Sequence, residues 1–346
     1  MGLYLENGYL NFEYLISKKQ PFMWIIGGRG TGKTYGALSY MLDNGRKFML
    51  MRRTGKQTDI IKNPNYSPFN AICEDRGYKV TTVSDGENLG AVYKCEIERG
   101  KAVPYGAPIG NICALSTVSN IRGFDGSDTE FLIFDEFIKT AQEKPIRNEA
   151  EALANVYETI NRNRELNGRP PLTAIMLSNS NELSNDYFMQ FGLVKKYIEM
   201  RKAGQEILVL PERGCLLVDI QKSGISELKS QTALYKLTGA DSAIARMALS
   251  NEFVSDDMTD VKSYNLNQYI PLVTVGEVTI YTPKSKSGYY YASPIASGKV
   301  QRFDPTGTGR DQFIQHYRFL ITLYYRGLFR FEDYVTKSIL LKIWGV

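Results

Sequence analysis

Over its first 205 residues the chain alternates short, largely apolar runs with longer stretches of mixed character. The apolar runs fall at residues 22–26, 47–52, 111–115, 130–134 and 172–177. Runs this short, lacking a polar alternation, predict strands covered on both faces, as in a parallel sheet. Helical spacing follows the first run over 34–42 and returns across 148–165, so an α/β fold of strands joined by crossover helices is expected. Residues 91–97 and 102–105, separated by a Gly-containing turn, read as an inserted β-hairpin.

The texture changes near Pro211. Residues 211–258 are polar and helix-leaning, with breaks at Gly214, Gly224 and Gly239, and predict a small helical linker. Residues 259–346 predict a further unit, with strands at 272–281 and 289–293 joined by a Lys-Ser-Lys-Ser-Gly turn and a helix over 311–325. His316, Phe319, Leu320 and Leu323 fall at helical spacing, which predicts a core-facing stripe and a structural role for His316. The expected domains are therefore 1–210, 211–258 and 259–346.

Composition narrows the chemistry. At 346 residues the chain can bury more than one core. Its 42 Lys and Arg against 37 Asp and Glu give a net charge of +5, which permits a polyanionic partner without specifying one. Four cysteines without metal-ligand spacing, and a single histidine, argue against a zinc site and a His-based triad. Unpaired thiols suit a reducing compartment. No secretory pattern opens the chain, and no apolar run approaches the roughly 20 residues that span a bilayer. A soluble intracellular protein without a membrane partner is expected.

Candidate chemistry begins directly after the first strand. Gly27-Gly28-Arg29-Gly30-Thr31-Gly32-Lys33-Thr34 is a complete G-x-x-x-x-G-K-T phosphate loop between a strand and a helix. Its glycines let backbone N–H groups turn toward an anion, and the helix aims its positive dipole end at the same point. Lys33 is expected to reach the β and γ phosphates of ATP, and the Thr34 hydroxyl to hold Mg²⁺.

Residues 131–136, Phe-Leu-Ile-Phe-Asp-Glu, supply the second half: four apolar residues, then two acids. Asp135 is expected to complete the Mg²⁺ shell opposite Thr34, and Glu136 to polarise the attacking water. A glutamate directly after that aspartate points to the additional-strand class of P-loop ATPases, in which one more strand lies between the loop's strand and the Asp135 strand. The strand ending Leu177-Ser178-Asn179 then becomes the sensor strand, with Asn179 or Ser178 placed toward the γ phosphate or the water.

Arg162 and Arg164 close a predicted helix. They suit either the negative end of its dipole or an arginine finger directed at a neighbour's γ phosphate. Arg52, Arg53, Lys56 and Arg122 are equally open between phosphate, nucleic acid and solvent.

Taken together, these residues resemble the genome-packaging (encapsidation) ATPases of small tailed phages with protein-primed linear DNA genomes. The resemblance rests on the phosphate loop behind a short N-terminal segment, Met51-Arg52-Arg53, Phe134-Asp135-Glu136-Phe137-Ile138, Arg162-Asn163-Arg164-Glu165 and Leu177-Ser178-Asn179, in order across about 200 residues. Arg122-Gly123 also resembles an arginine-glycine pair of the large terminases. The family implies a homopentameric ring at the portal vertex of a procapsid, in the cytoplasm of an infected bacterium, with active sites shared between subunits. On that basis Arg162 matches the trans-acting finger, Arg122 a second basic residue acting across the interface, and Arg29 the family's loop pattern.

For the C-terminal third the family implies a small RNase-H-like α+β domain. Glu277, Asp304, Asp311, Glu332 and Asp333 show no metal-ligand pattern, so nuclease activity is not expected. Lys284, Lys286, Lys299 and Arg302 are candidates for contacting DNA or the portal, or form a solvated basic face. The leading expectation is an ATP-driven translocase of double-stranded DNA. A ring helicase or transfer-type pump is the alternative enzyme, and a nucleotide-dependent assembly module the alternative without a motor. Whether a structural RNA takes part stays open.

Overall fold

The strand-forming runs assemble as their apolar character dictates. A computed structural model describes residues 2–86, 89–117, 126–140, 143–179, 182, 184–221, 223–225, 231–238, 259–286 and 288–346. The chain divides into two units: Met1–Ile146 with Ala152–Asn181 and Gln205–Glu252, and Arg147–Glu151 with Glu182–Gly204 and Phe253–Val346.

The first unit is built on β1 (Phe22–Gly27), β2 (Phe48–Arg52), β3 (Val80–Ser84), β4 (Leu89–Glu98), β5 (Lys101–Ala114), β6 (Phe131–Asp135), β7 (Thr173–Ser178), β8 (Ile207–Leu210) and β9 (Cys215–Ile220). Their order across one sheet is β3-β4-β5-β2-β6-β7-β1-β9-β8. From β5 through β9 in that order every neighbouring pair is parallel; β3, β4 and β8 add antiparallel edges. Ile25, Leu50, Ile133, Leu177 and Val218 have no exposed surface, which is why these strands read as continuous apolar runs. Among the helices, α1 (Phe12–Ile16) precedes β1, α2 (Lys33–Asp43) follows it, α3 (Gly55–Lys62) and α4 (Phe69–Arg76) follow β2, and α5 (Glu149–Asn161) lies between β6 and β7. Because β7 sits between β6 and β1, the chain ends of all three strands open on one crevice, where open α/β sheets bind ligands.

Several expectations change. Residues 215–220, expected in a helical linker, are the strand β9, paired with β1 along its whole length. Cys-Leu-Leu-Val-Asp-Ile is a short apolar run whose polar flanks disguised it, and all six residues are buried. Much of the remaining expected linker, residues 226–230 and 239–258, lies outside the described residues. The expected hairpin is present, but its second strand does not stop at 105: β5 runs on for 14 residues and enters the central sheet.

The second unit contains α6 (Asp186–Gln190) and α7 (Val194–Lys202), and a five-stranded sheet of β10 (Tyr269–Val275), β11 (Val278–Pro283), β12 (Tyr290–Ser293), β13 (Arg302–Phe303) and β14 (Phe329–Phe331) in the order β13-β10-β11-β12-β14. The single strand expected over 272–281 is a hairpin turning at Gly276, whose φ of 56° favours glycine.

The helix expected over 311–325 is two helices, Gly307–Tyr317 and Phe319–Tyr325, parted by a turn at Arg318. The expected core stripe fails with it: His316 and Phe319 are exposed, and of the four only Leu320 is buried. Phe313 and Leu320, two turns apart, set a different buried face, and His316 lies against the Phe303 ring at 6.1 Å. A last helix, Tyr334–Trp344, buries Ile339, Leu340, Ile343 and Trp344.

All four cysteines are free, and burial pushes the Cys113 and Cys215 thiols up to about 12. Neither is a thiolate near neutral pH. No helix among the described residues is long and apolar enough to cross a membrane.

Candidate nucleotide site

The phosphate loop takes its shape from two glycine requirements. A Cβ at Gly27 would lie 2.6 Å from the Ile220 side chain on β9, so only glycine lets β1 pair that closely. Gly32 caps α2 at φ 81°, with no side chain of its own to bond the first-turn N–H groups. Those donors stay available to an anion. Lys33 is buried and folds back over the loop, its Nζ donating to the carbonyls of Gly27 and Gly28 at 2.7 Å each and to Thr31 Oγ1 at 3.2 Å. Gly30 turns the crest of the loop at φ 71°, and Arg29 beside it is exposed.

Thr34 and Asp135, 101 positions apart, meet directly: Thr34 Oγ1 donates to Asp135 Oδ2 at 2.9 Å. A hydroxyl beside a buried carboxylate is a hard-oxygen donor pair of the type Mg²⁺ takes together with phosphate oxygens and water. The residues fit that ion.

Glu136 owes its position to its neighbours. Phe137 is fully buried against Trp24 at 5.3 Å, and its N–H bonds the Leu177 carbonyl at 3.1 Å. Anchoring Phe137 forces a sharp turn after Asp135, and Glu136 adopts φ 57°, a left-handed conformation that costs a non-glycine residue about 1 kcal/mol or more. Its side chain is 42% exposed, open to a water at the crevice. Asn179, one residue beyond β7, donates to Glu136 Oε1 at the long distance of 3.5 Å.

Arg52, left open by sequence, is the cation that pairs with both acids. Its Nη2 lies 2.7 Å from Asp135 Oδ2 and its Nη1 2.8 Å from Glu136 Oε2. It leaves the end of β2 beside β6, so the order of strands, not any motif, brings it to both acids. Replacing it by alanine is expected to leave Asp135 buried without its cation and to destabilise the protein on the order of 3 kcal/mol. Asp135→Asn in that background should recover part of the lost thermal midpoint; no recovery would mean the pair contributes nothing.

The structure separates the two arginines after α5. Arg164 is buried, donating to the carbonyls of Gly126, Ser127 and Thr129, and burial lowers its pKa, with Arg169 adding to the effect. It ties the α5 end to the approach to β6. Arg162 is exposed at φ 46°, and its Nε donates to Thr159 O at 3.3 Å. Arg53 is fully buried and pairs with Glu143 at 3.1 Å. Arg122 lies outside the described residues. In the second unit Lys284, Lys286, Lys299 and Arg302 are all exposed.

A sequence profile described as Podovirus DNA encapsidation protein (Gp16) matches residues 6–282. The DNA packaging protein of Bacillus phage B103 is 27% identical over 262 residues, covering 73% of this chain and 70% of that protein. That of Bacillus phage phi29 is 24% identical over 260 residues, covering 73% and 68%. The solved structure of the phi-28 gp11 DNA packaging motor aligns over 99% of both chains with a TM-score of 0.63 at 19% identity, a likeness of fold. Since the profile spans well over half of the sequence, the chain belongs to the podovirus DNA encapsidation protein (Gp16) family, whose work is DNA packaging.

Proposed function

We propose that this packaging protein is an ATP-driven motor that moves double-stranded DNA into a procapsid, hydrolysing ATP at the subunit interfaces of a ring. The observation that carries the reading is the convergence of Lys33 and Thr34 after β1, Asp135 and Glu136 at the end of β6, and Asn179 after β7 on one crevice. The position of β7 between β1 and β6 supports the additional-strand class of P-loop ATPases.

In this reading the loop N–H groups and Lys33 bind the phosphates, and Lys33 exchanges its carbonyl partners for the β and γ oxygens. Thr34 and Asp135 hold Mg²⁺, which when bound neutralises charge developing on the phosphates. Glu136 orients the attacking water and takes its proton, and Asn179 orients Glu136. Arg162, exposed just past the end of α5, supplies the finger to the next subunit, with Arg122 as a second basic residue across the interface.

The domain reading shifts accordingly: the ATPase unit runs past residue 210 to include β9, and 259–346 keeps an RNase-H-like role. Supporting it is the antiparallel meander β10–β11–β12 with β13 parallel to β10; β14 departs by joining β12. Asp333 caps the last helix and Glu332 accepts from Ser293, uses that favour a unit without nuclease chemistry. Its basic face is assigned to DNA or the portal, acting at the procapsid of an infected bacterium. A pentamer and a structural RNA rest on the family resemblance.

ATP hydrolysis by the purified protein, measured with and without duplex DNA and procapsids, tests the reading. Duplex of any sequence should stimulate turnover, and stimulation should fall steeply with salt, because a motor that passes a whole genome grips phosphates. Dependence on one short sequence would count against it. Release of a displaced strand from a forked duplex would favour a ring helicase.

A further inference from the structure

We infer that Tyr9 is the platform on which the nucleotide's base stacks, an inference that rests on the nucleotide reading of the phosphate loop. The acids and Asn179, on β6 and β7, define where the γ phosphate must lie. The α phosphate and nucleoside therefore leave past the first turn of α2, on the opposite side of β1, toward β9 and β8.

The N-terminal segment is held at that exit. Tyr4 and Leu10 form a bridge closing a tight loop, in which Leu5 N donates to Tyr9 O at 2.8 Å and Gly8 turns at φ 79°. Three ties seat this loop. Tyr4 Oη donates to Glu206 just before β8 at 2.5 Å, Ser223 Oγ beyond β9 donates to Gly8 O at 3.0 Å, and Leu10 N reaches the Thr31 carbonyl at 3.4 Å.

Tyr9 lies on the returning arm of this loop, directly over the phosphate loop. A Cβ at Gly32 would fall 2.5 Å from Tyr9 Cδ1, so glycine at that position serves the ring as well as the backbone. The ring runs nearly parallel to Tyr35 in the first turn of α2, at 25° with centroids 6.4 Å apart. Leu10 and Phe12 are the buried anchors of the segment, whereas Tyr9 stays 37% exposed. An aromatic face fixed at the mouth of a phosphate site, and not needed to bury its own loop, matches the flat face of a base; a purine offers the larger overlap.

Stacking of one base on an aromatic ring is worth about tenfold in affinity. Binding to the full-length protein is measured with two probes, ATP and inorganic tripolyphosphate, which differ by the nucleoside. Tyr9→Ala should weaken ATP about tenfold and leave tripolyphosphate unchanged, while Tyr9→Phe keeps wild-type affinity for both. In Tyr9→Trp the introduced fluorescence should respond to ATP and not to tripolyphosphate. Equal weakening of both probes by Tyr9→Ala would overturn the inference and make Tyr9 a prop of the phosphate loop. Unchanged binding of both would overturn it as well. Failure of the wild-type protein to bind either probe would instead sink the nucleotide reading itself, and this inference with it.

Discussion

Glu136→Gln is expected to bind ATP with near wild-type affinity and to hydrolyse it about 10²- to 10⁴-fold more slowly, the range for loss of a general base. Glutamine keeps the size of the side chain and its contact with Asn179 but cannot take a proton from water. Lys33→Ala should fail earlier, at binding, because Lys33 meets phosphate in the ground state whereas Glu136 matters only as water attacks. Equilibrium binding and single-turnover hydrolysis on the same preparations separate the two. Wild-type turnover by Glu136→Gln would remove Glu136 from the chemistry, and tight binding by Lys33→Ala would do the same for the phosphate loop.

Arg162→Ala should be nearly inactive alone, since losing an arginine finger costs on the order of 10³-fold or more, yet should regain activity when mixed with Glu136→Gln. Subunits of the first kind retain Lys33, Thr34, Asp135 and Glu136; subunits of the second retain the finger. An interface between them unites one intact cluster with one intact Arg162, so hydrolysis should rise and then fall with mixing ratio and require assembled rings. Arg164→Ala is the control. Its guanidinium is bonded to carbonyls of its own unit, so its loss should lower stability and give no rescue on mixing. Absence of rescue for Arg162→Ala at every ratio, with assembly verified by sedimentation, would place Arg162 outside the neighbour's site.

What was legible in the chain is what local physics writes there. β1, β2, β6 and β7 are buried on both faces, so each had to be an apolar run and could be read as one. The phosphate loop needs glycines at fixed offsets because a backbone must turn within a few residues. Asp135 and Glu136 follow a strand end because the crevice lies there. Glu136 at φ 57° is the exception that local propensity disfavours, and only the burial of Phe137 explains it.

The remainder depends on which distant segments become neighbours, a matter of strand order that periodicity does not encode. Arg52 and Arg53 are adjacent and alike in sequence, yet β2 lying beside β6 gives Arg52 to Asp135 and Glu136, while Arg53 turns to Glu143. Arg162 and Arg164 part in the same way: one residue of backbone rotation past the end of α5 buries one and exposes the other. β9 was hidden because its five apolar residues are interrupted by Asp219 and stand in polar surroundings, and only pairing with β1 shows that they extend the sheet. Tyr9 carried no signal at all; its place over Gly32 comes from ties to Glu206 and Ser223, about 200 residues along the chain. Sequence patterns determine whether a segment prefers to be buried, because that preference is a property of its own side chains. Only the assembled sheet decides what each side chain meets, because that is a property of all the strands at once.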